Sequence, residues 1–185
     1  MDGLTQNTGF NGLLSALVFL PFVFALLIFV LPRNDNQVRL LAVFGGIVEL
    51  VLSVFVFVVY NRGESGFQLI DRFNSWIPVD SFRIEYFLGV DGLSVPMVLL
   101  TGMVIFTGVL ISWGIDDRPR EFFAFLFLLA TGVFGVFVAL DLFHLFFFYE
   151  ISVFPMYLLI AIWGWKVTRE YAAMKLTLYL FIGSV

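Results

Sequence analysis

Along these 185 residues, apolar runs long enough to span a bilayer recur five times, and a sixth is under way when the sequence stops. A run of about 20 apolar residues is what a helix needs to cross about 30 Å of hydrocarbon. Inside lipid every backbone amide must be paired within its own segment, so such runs fold as helices. The spans fall at residues 10–31, 38–60, 93–113, 121–140 and 141–163, with the sixth starting near Tyr171. Composition agrees: 61% of residues are hydrophobic, 25 are Phe, and only 13% are charged. Soluble chains run nearer half apolar and a quarter charged. Mean hydropathy is +1.02. The expected fold class is all-α, a polytopic transmembrane helix bundle.

The break between spans four and five is set by length. Only Asp141 and His144 interrupt the apolar stretch there, and a single helix over all of it would far exceed the bilayer. Pro21 is expected to kink span one. The first span, preceded by residues 1–11 without a positive n-region or an evident small-residue cleavage site, reads as a retained helix rather than a signal peptide. From Tyr171 to Val185 a helix covers only about 22 Å, so Val185 is not expected to be a natural end. Between spans two and three lies a long loop, residues 61–92. Within it Phe82-Arg83-Ile84-Glu85-Tyr86-Phe87-Leu88 alternates as a short strand does, Trp76-Ile77-Pro78 suits an interface, and a β-hairpin on the outer face is expected.

Lys and Arg orient the chain. With alternating spans, Arg33, Arg39, Arg118, Arg120, Lys166 and Arg169 collect on one side, and Arg62, Arg72 and Arg83 on the other. The positive-inside rule then places the N-terminus on the non-cytoplasmic side, in a bacterial inner membrane. Several functions are excluded by composition. With no cysteine there is no disulfide, thiolate metal site or iron–sulfur ligation, and one histidine cannot make a bis-His haem. A net charge of −4 with no basic run argues against nucleic acid as a partner. No Walker loop, HExxH or dinucleotide fingerprint occurs; Gly132 and Gly135 read as close-packing residues.

The chemistry therefore rests on ionisable groups inside the spans, where a central Asp, Lys or Arg costs about 2.5–3.5 kcal/mol. Such a carboxyl normally faces protein or water, and desolvation disfavours its charged form, which suits it to trade a proton. Glu150, flanked by Phe146, Phe147, Phe148, Tyr149 and Ile151, is the first candidate and is expected to be buried. It reads as a proton-handling group, or as a structural acid paired to a neighbouring helix. Glu49, in Ile47-Val48-Glu49-Leu50-Val51, is either a relay group or the partner of a subunit packed on its helix. Lys175, early in span six, either snorkels to the interface or pairs with a buried carboxylate and moves when that acid is protonated. His144 lies six residues before Glu150 on a different helix face and is a candidate relay at the outer mouth of span five. Asp141 reads as a turn residue. Pro155 frees a backbone carbonyl near position 151, bending the helix beside Glu150 or serving only as a packing kink.

Three segments narrow the class: Leu88-Gly-Val-Asp-Gly-Leu-Ser-Val-Pro-Met-Val-Leu-Leu-Thr-Gly102; Arg120-Glu-Phe-Phe-Ala-Phe-Leu-Phe-Leu-Leu-Ala-Thr-Gly-Val-Phe-Gly135, running on to Asp141-Leu142; and Phe148-Tyr-Glu-Ile-Ser-Val-Phe-Pro-Met-Tyr-Leu-Leu-Ile-Ala-Ile-Trp-Gly164, followed by Tyr171-Ala-Ala-Met-Lys-Leu-Thr-Leu-Tyr179. In this order they resemble the M subunit (chain 4) of NADH–quinone oxidoreductase, respiratory complex I, an antiporter-like proton-translocating subunit. The resemblance covers residues 82–185; the first two spans match in hydropathy alone. It implies about fourteen helices with two inverted five-helix repeats, each a half-channel around a broken helix. Residues 1–140 are then N-terminal helices, and 141–185 the start of the antiporter-like domain. Glu150 falls on the family's essential glutamate, which pairs with a lysine on a seventh helix, and Lys175 on the lysine early in the sixth. Glu49 and His144 have no assigned counterpart. The expected partners are the other membrane-arm subunits and the lipid bilayer. No cofactor is expected in this chain; NADH, FMN, iron–sulfur clusters and quinone are expected on other subunits.

Four other readings compete: an Mrp-type cation/proton antiporter subunit, the equivalent subunit of a related complex using another electron donor, a membrane scaffold whose acids are packing pairs, and an intramembrane hydrolase. The last would need Ser152 or Ser94 beside His144, and Ser152 is on another face.

Overall fold

A computed structural model describes residues 12–31, 34–63, 66–79 and 82–184, without the side chains of residues 73–85 and 184. The expectations for residues 1–11, Pro32, Arg33, Glu64 and Asp80, and for the side chains of Trp76-Ile77-Pro78, Arg83 and Glu85, lie outside the described residues. The elements in order are α1 (Leu13–Val30), α2 (Asp35–Val59), β1 (Gln68–Val79), β2 (Phe82–Val90), α3 (Ser94–Ile111, continued by a 3-10 turn), α4 (Pro119–Val138), α5 (Leu142–Trp163) and α6 (Arg169–Ser184). Five of these helices, α1 to α5, are long and apolar enough to cross a membrane. Each lies within a few residues of its expected span.

The helix ends follow local chemistry. Pro119 opens α4 at its first turn, where a missing N–H costs nothing and a fixed φ is already helical. Asp35 places a carboxylate in the first turn of α2, favourable against the helix dipole. Pro21 and Pro155 both lie within continuous helices.

Helices α1 to α4, with Phe148 of α5 and Leu69, Leu88 and Val90 of the hairpin, make the core: α1 packs on α4 and α2, and α2 packs on α3 and α4, while α5 lies along α4 and α6 along α5. Phe123, Phe127, Phe134 and Phe148 are its largest fully buried rings. Glycines set the closest approaches, as expected for Gly132 and Gly135. A Cβ on Gly132 would stand 2.7 Å from the Ser152 nitrogen and 2.8 Å from the Phe148 carbonyl oxygen, so α4 and α5 meet at backbone distance.

Strands β1 and β2 form an antiparallel hairpin with irregular register between Gln68 and Asp71 and between Phe73 and Ile77. It packs on the end of the bundle where α1, α3 and α5 begin. Leu88 bridges Ala139, and the Leu140 amide donates to the Phe87 carbonyl at 3.1 Å. The hairpin thus takes up backbone groups released where the chain passes from α4 to α5, and this ends α4 inside an apolar run. Asp71 of β1 caps α1: it accepts from the Gly12 amide, from the Ser15 amide at 2.8 Å and from the Ser15 hydroxyl at 2.9 Å.

Candidate functional site

The face opposite the hairpin carries Arg39, Arg118, Arg120, Lys166 and Arg169 at or near helix ends. Arg39 pairs with Asp116 at 2.6 Å and also donates to the Ile115 carbonyl. Trp163 donates its indole N–H to the Asp117 carbonyl at 2.7 Å, and Arg169 donates to the Ile162 carbonyl at 2.9 Å. These contacts tie the start of α2 and the end of α5 to the loop before α4, and the start of α6 to the last turn of α5.

At the hairpin face a polar group of contacts joins three elements. The Tyr86 hydroxyl donates to Ser15 Oγ at 3.0 Å, and the ring of Tyr86 meets His144 edge-on with centroids 5.3 Å apart. His144 Nδ1 lies 3.3 Å from an Asp141 carboxylate oxygen. Burial pushes the Tyr86 phenol above its ordinary value, with the negative charge of Asp71 acting in the same direction against the Ser15 hydrogen bond. His144 is buried near the start of α5, the expected outer mouth of that span.

Glu150 corrects one expectation. It is not buried within this chain: its side chain is exposed, alongside Phe146, Phe147 and Phe154. The reason is helical geometry. α5 buries the stripe containing His144, Phe148 and Pro155, and Glu150 follows Phe148 by two residues, about 200° around the helix. Glu150 lines an open cleft of about 520 Å³ with Phe19 and Phe22 of α1, Leu128 and Thr131 of α4, and Phe147, Phe148, Ile151 and Phe154 of its own helix. The cleft is almost wholly apolar, and Glu150 supplies its ionisable group.

Glu49 is where the dry interior lies. It is 0% exposed, and neither carboxyl oxygen has a hydrogen-bond partner among the described residues. Helices α1, α3 and α4 pack on α2 and enclose the face that carries it. No composition signal separated these two acids, since both sit mid-span among aliphatic and aromatic neighbours.

Lys175 is exposed on α6, between the rings of Tyr171 at 5.6 Å and Tyr179 at 5.9 Å. It lies in a shallow apolar patch formed by α6 alone, and among the described residues it is not brought to Glu150. Ser152 donates its hydroxyl to the Tyr149 carbonyl at 2.7 Å, within its own helix. Among the described residues no cluster of three His, Cys, Asp or Glu could hold a metal ion.

Fold and site together define a multi-pass helical membrane protein whose α5–α6 region matches a known antiporter-like domain. Residues 139–185 match the family model described as NADH:quinone oxidoreductase/Mrp antiporter, transmembrane. The chain resembles chain 4 of the NAD(P)H-quinone oxidoreductases over 93% of its length. It is 41% identical to chain 4-2 of Synechocystis sp., of which it covers 30%, and 37% identical to the chloroplastic chain 4 of Chlorokybus atmophyticus, of which it covers 33%. It therefore spans about a third of the length of these relatives. Among solved structures, a chain of respiratory complex I from Thermus thermophilus with bound NADH superimposes with a TM-score of 0.75 at 26% identity, over 93% of this chain and 33% of that one. A chain of the membrane-bound sulfane sulfur reductase, an archaeal respiratory membrane complex, shares the fold with a TM-score of 0.76 at 22% identity, over 94% of this chain and 35% of that one.

Proposed function

We propose that this chain belongs to a membrane-arm subunit of a proton-translocating quinone reductase, in which Glu150 takes up and releases the transported proton. The observation that carries the reading is the position of Glu150: it lies within the segment matched to the NADH:quinone oxidoreductase/Mrp antiporter family and at the wall of the cleft between α1, α4 and α5. As the ninth of the 22 residues of α5, it sits about 12 Å from the helix start, too deep to snorkel to the surface. A carboxyl at that depth on a face left open by the chain itself is costly against lipid. Protein covers it in the assembled membrane arm. The covering helix brings the lysine that the family resemblance expects opposite Glu150, and Lys175, early in α6, carries charge between that pair and the basic face. The antiporter-like domain begins at α5. The N-terminus and the hairpin lie on the non-cytoplasmic side of a bacterial inner membrane. Electrons travel through NADH, FMN, iron–sulfur clusters and quinone on other subunits, and this chain turns their transfer into proton movement.

The test is Glu150→Gln in the full-length protein within its complex. Loss of proton pumping together with a large fall in quinone reduction is expected, with assembly unchanged. Pumping and reduction at wild-type rates would overturn the assignment and leave a helical scaffold. The family description also names Mrp antiporters. That second reading predicts sodium-dependent proton exchange by the complex in closed vesicles without any quinone substrate.

A further inference from the structure

We propose that Glu49 is a second intramembrane proton-binding site, enclosed by α1 to α4 and occupied in the resting protein, so that the side chain is carried as a neutral acid. The inference does not depend on the role given to Glu150.

Depth and enclosure come first. Glu49 is the fifteenth of the 25 residues of α2, about 21 Å along the axis from the basic face, and it is 0% exposed. The walls around it are tight. One turn toward the basic face, Gly45 meets the rings of Phe24 and Phe127, and Gly46 meets Phe106. One turn the other way, Gly102 brings the α3 backbone against Ser53, and a Cβ there would lie 3.5 Å from the Glu49 carbonyl oxygen.

Among the described residues no counter-charge faces it. The helices packed on α2 are α1, α3 and α4. Helices α1 and α3 contain no titratable residue at all, and α4 has only Arg120 and Glu121, in its first turn at the basic face. On α2 itself, Asp35 and Arg39 lie at the start of the helix, and Arg39 is held by Asp116. Nor do the buried hydroxyls solvate a carboxylate. Ser53 donates to the Glu49 carbonyl at 2.8 Å, Thr101 to Met97 at 2.8 Å and Thr131 to Phe127 at 3.2 Å. A carboxylate shut away from bulk solvent, with neither a donor nor a counter-ion from the described residues, is strongly disfavoured, and the group escapes that cost by keeping its proton. Binding and loss of that proton is then the way charge appears and disappears inside the α1–α4 bundle.

Infrared difference spectroscopy of membranes holding the assembled complex, with carbon-13 glutamate, tests this directly. At neutral pH, Glu49→Gln is expected to remove one isotope-sensitive carbonyl band of a protonated carboxyl. Should that variant fail to accumulate, Glu49→Asp is expected to move the band instead of removing it. An unchanged spectrum in this region for the variant that assembles would mean that Glu49 is ionised and would overturn the proposal. So would loss of the band on adding sodium at constant pH, which would make the site a cation site. The readout is spectroscopic, so it stands or falls separately from pumping by Glu150.

Discussion

Gly135 of α4 lies against the ring of Phe148 of α5, so close that an added Cβ would stand 2.2 Å from the ring Cγ. That ring has no room to swing aside: Phe148 is 1% exposed, and it already packs against the rings of Phe147 and His144. Gly135→Ala is therefore expected to force α4 and α5 apart and cost about 1–3 kcal/mol, as overpacking in a filled core does. Gly108→Ala is the control, because nothing lies within 4 Å of a Cβ there. Thermal unfolding of the purified complex in detergent should show a clear drop for the first variant and none for the second. Equal behaviour of the two would show that α4 and α5 do not meet at this point.

That contact also marks how far the sequence could be read. The five spans were legible because backbone pairing in lipid leaves only helices, and run length fixes their extent. Small residues at Gly132 and Gly135 pointed correctly to a close helix contact. The hairpin was legible from the alternation around Tyr86. The way the hairpin ends α4 was not, because the pairing of Leu88 with Ala139 joins positions distant in sequence. The two acids diverged for a similar reason. Glu49 and Glu150 have equally apolar neighbours along the chain, but burial depends on which stripe of each helix meets its neighbours. α2 turns the stripe of Gly45, Glu49 and Ser53 inward, whereas α5 turns Phe148 inward and Glu150 out.

Asp91 gives the link between hairpin and bundle a pH dependence. One of its carboxylate oxygens accepts from the Ser94 amide at 2.7 Å and the Leu93 amide at 3.1 Å, closing the first turn of α3. The Ser94 hydrogen bond above all holds this carboxyl below its ordinary value, against a smaller opposing effect of burial. A carboxyl lowered by folding stabilises the folded state above its unfolded value of about 3.9 and loses that contribution as pH falls through the folded value. The first turn of α3 is thus expected to loosen on acidification below about pH 4, by the ~0.5–1 kcal/mol of a solvent-accessible cap. Amide hydrogen exchange at Leu93 and Ser94 should accelerate over that window in the wild type. Asp91→Asn, which keeps an acceptor oxygen but cannot titrate, should show no such step. The same acid step in both proteins would assign it to another group.

The direction of the chain through the membrane can be read with single thiols, because the sequence contains no cysteine. Asn61 is exposed at the hairpin face, and Val167, 84% exposed, lies between α5 and α6 at the basic face. Arg39, Arg118, Arg120, Lys166 and Arg169 share that second face, and retention of Lys and Arg on the cytoplasmic side sets the expected orientation. Asn61→Cys in the full-length protein should react with a membrane-impermeant maleimide added outside intact cells. Val167→Cys should react only once the membrane is opened. The opposite pattern would reverse the chain, put Asp71 and the hairpin in the cytoplasm, and require a proton reaching the Glu150 cleft past His144 to come from that side.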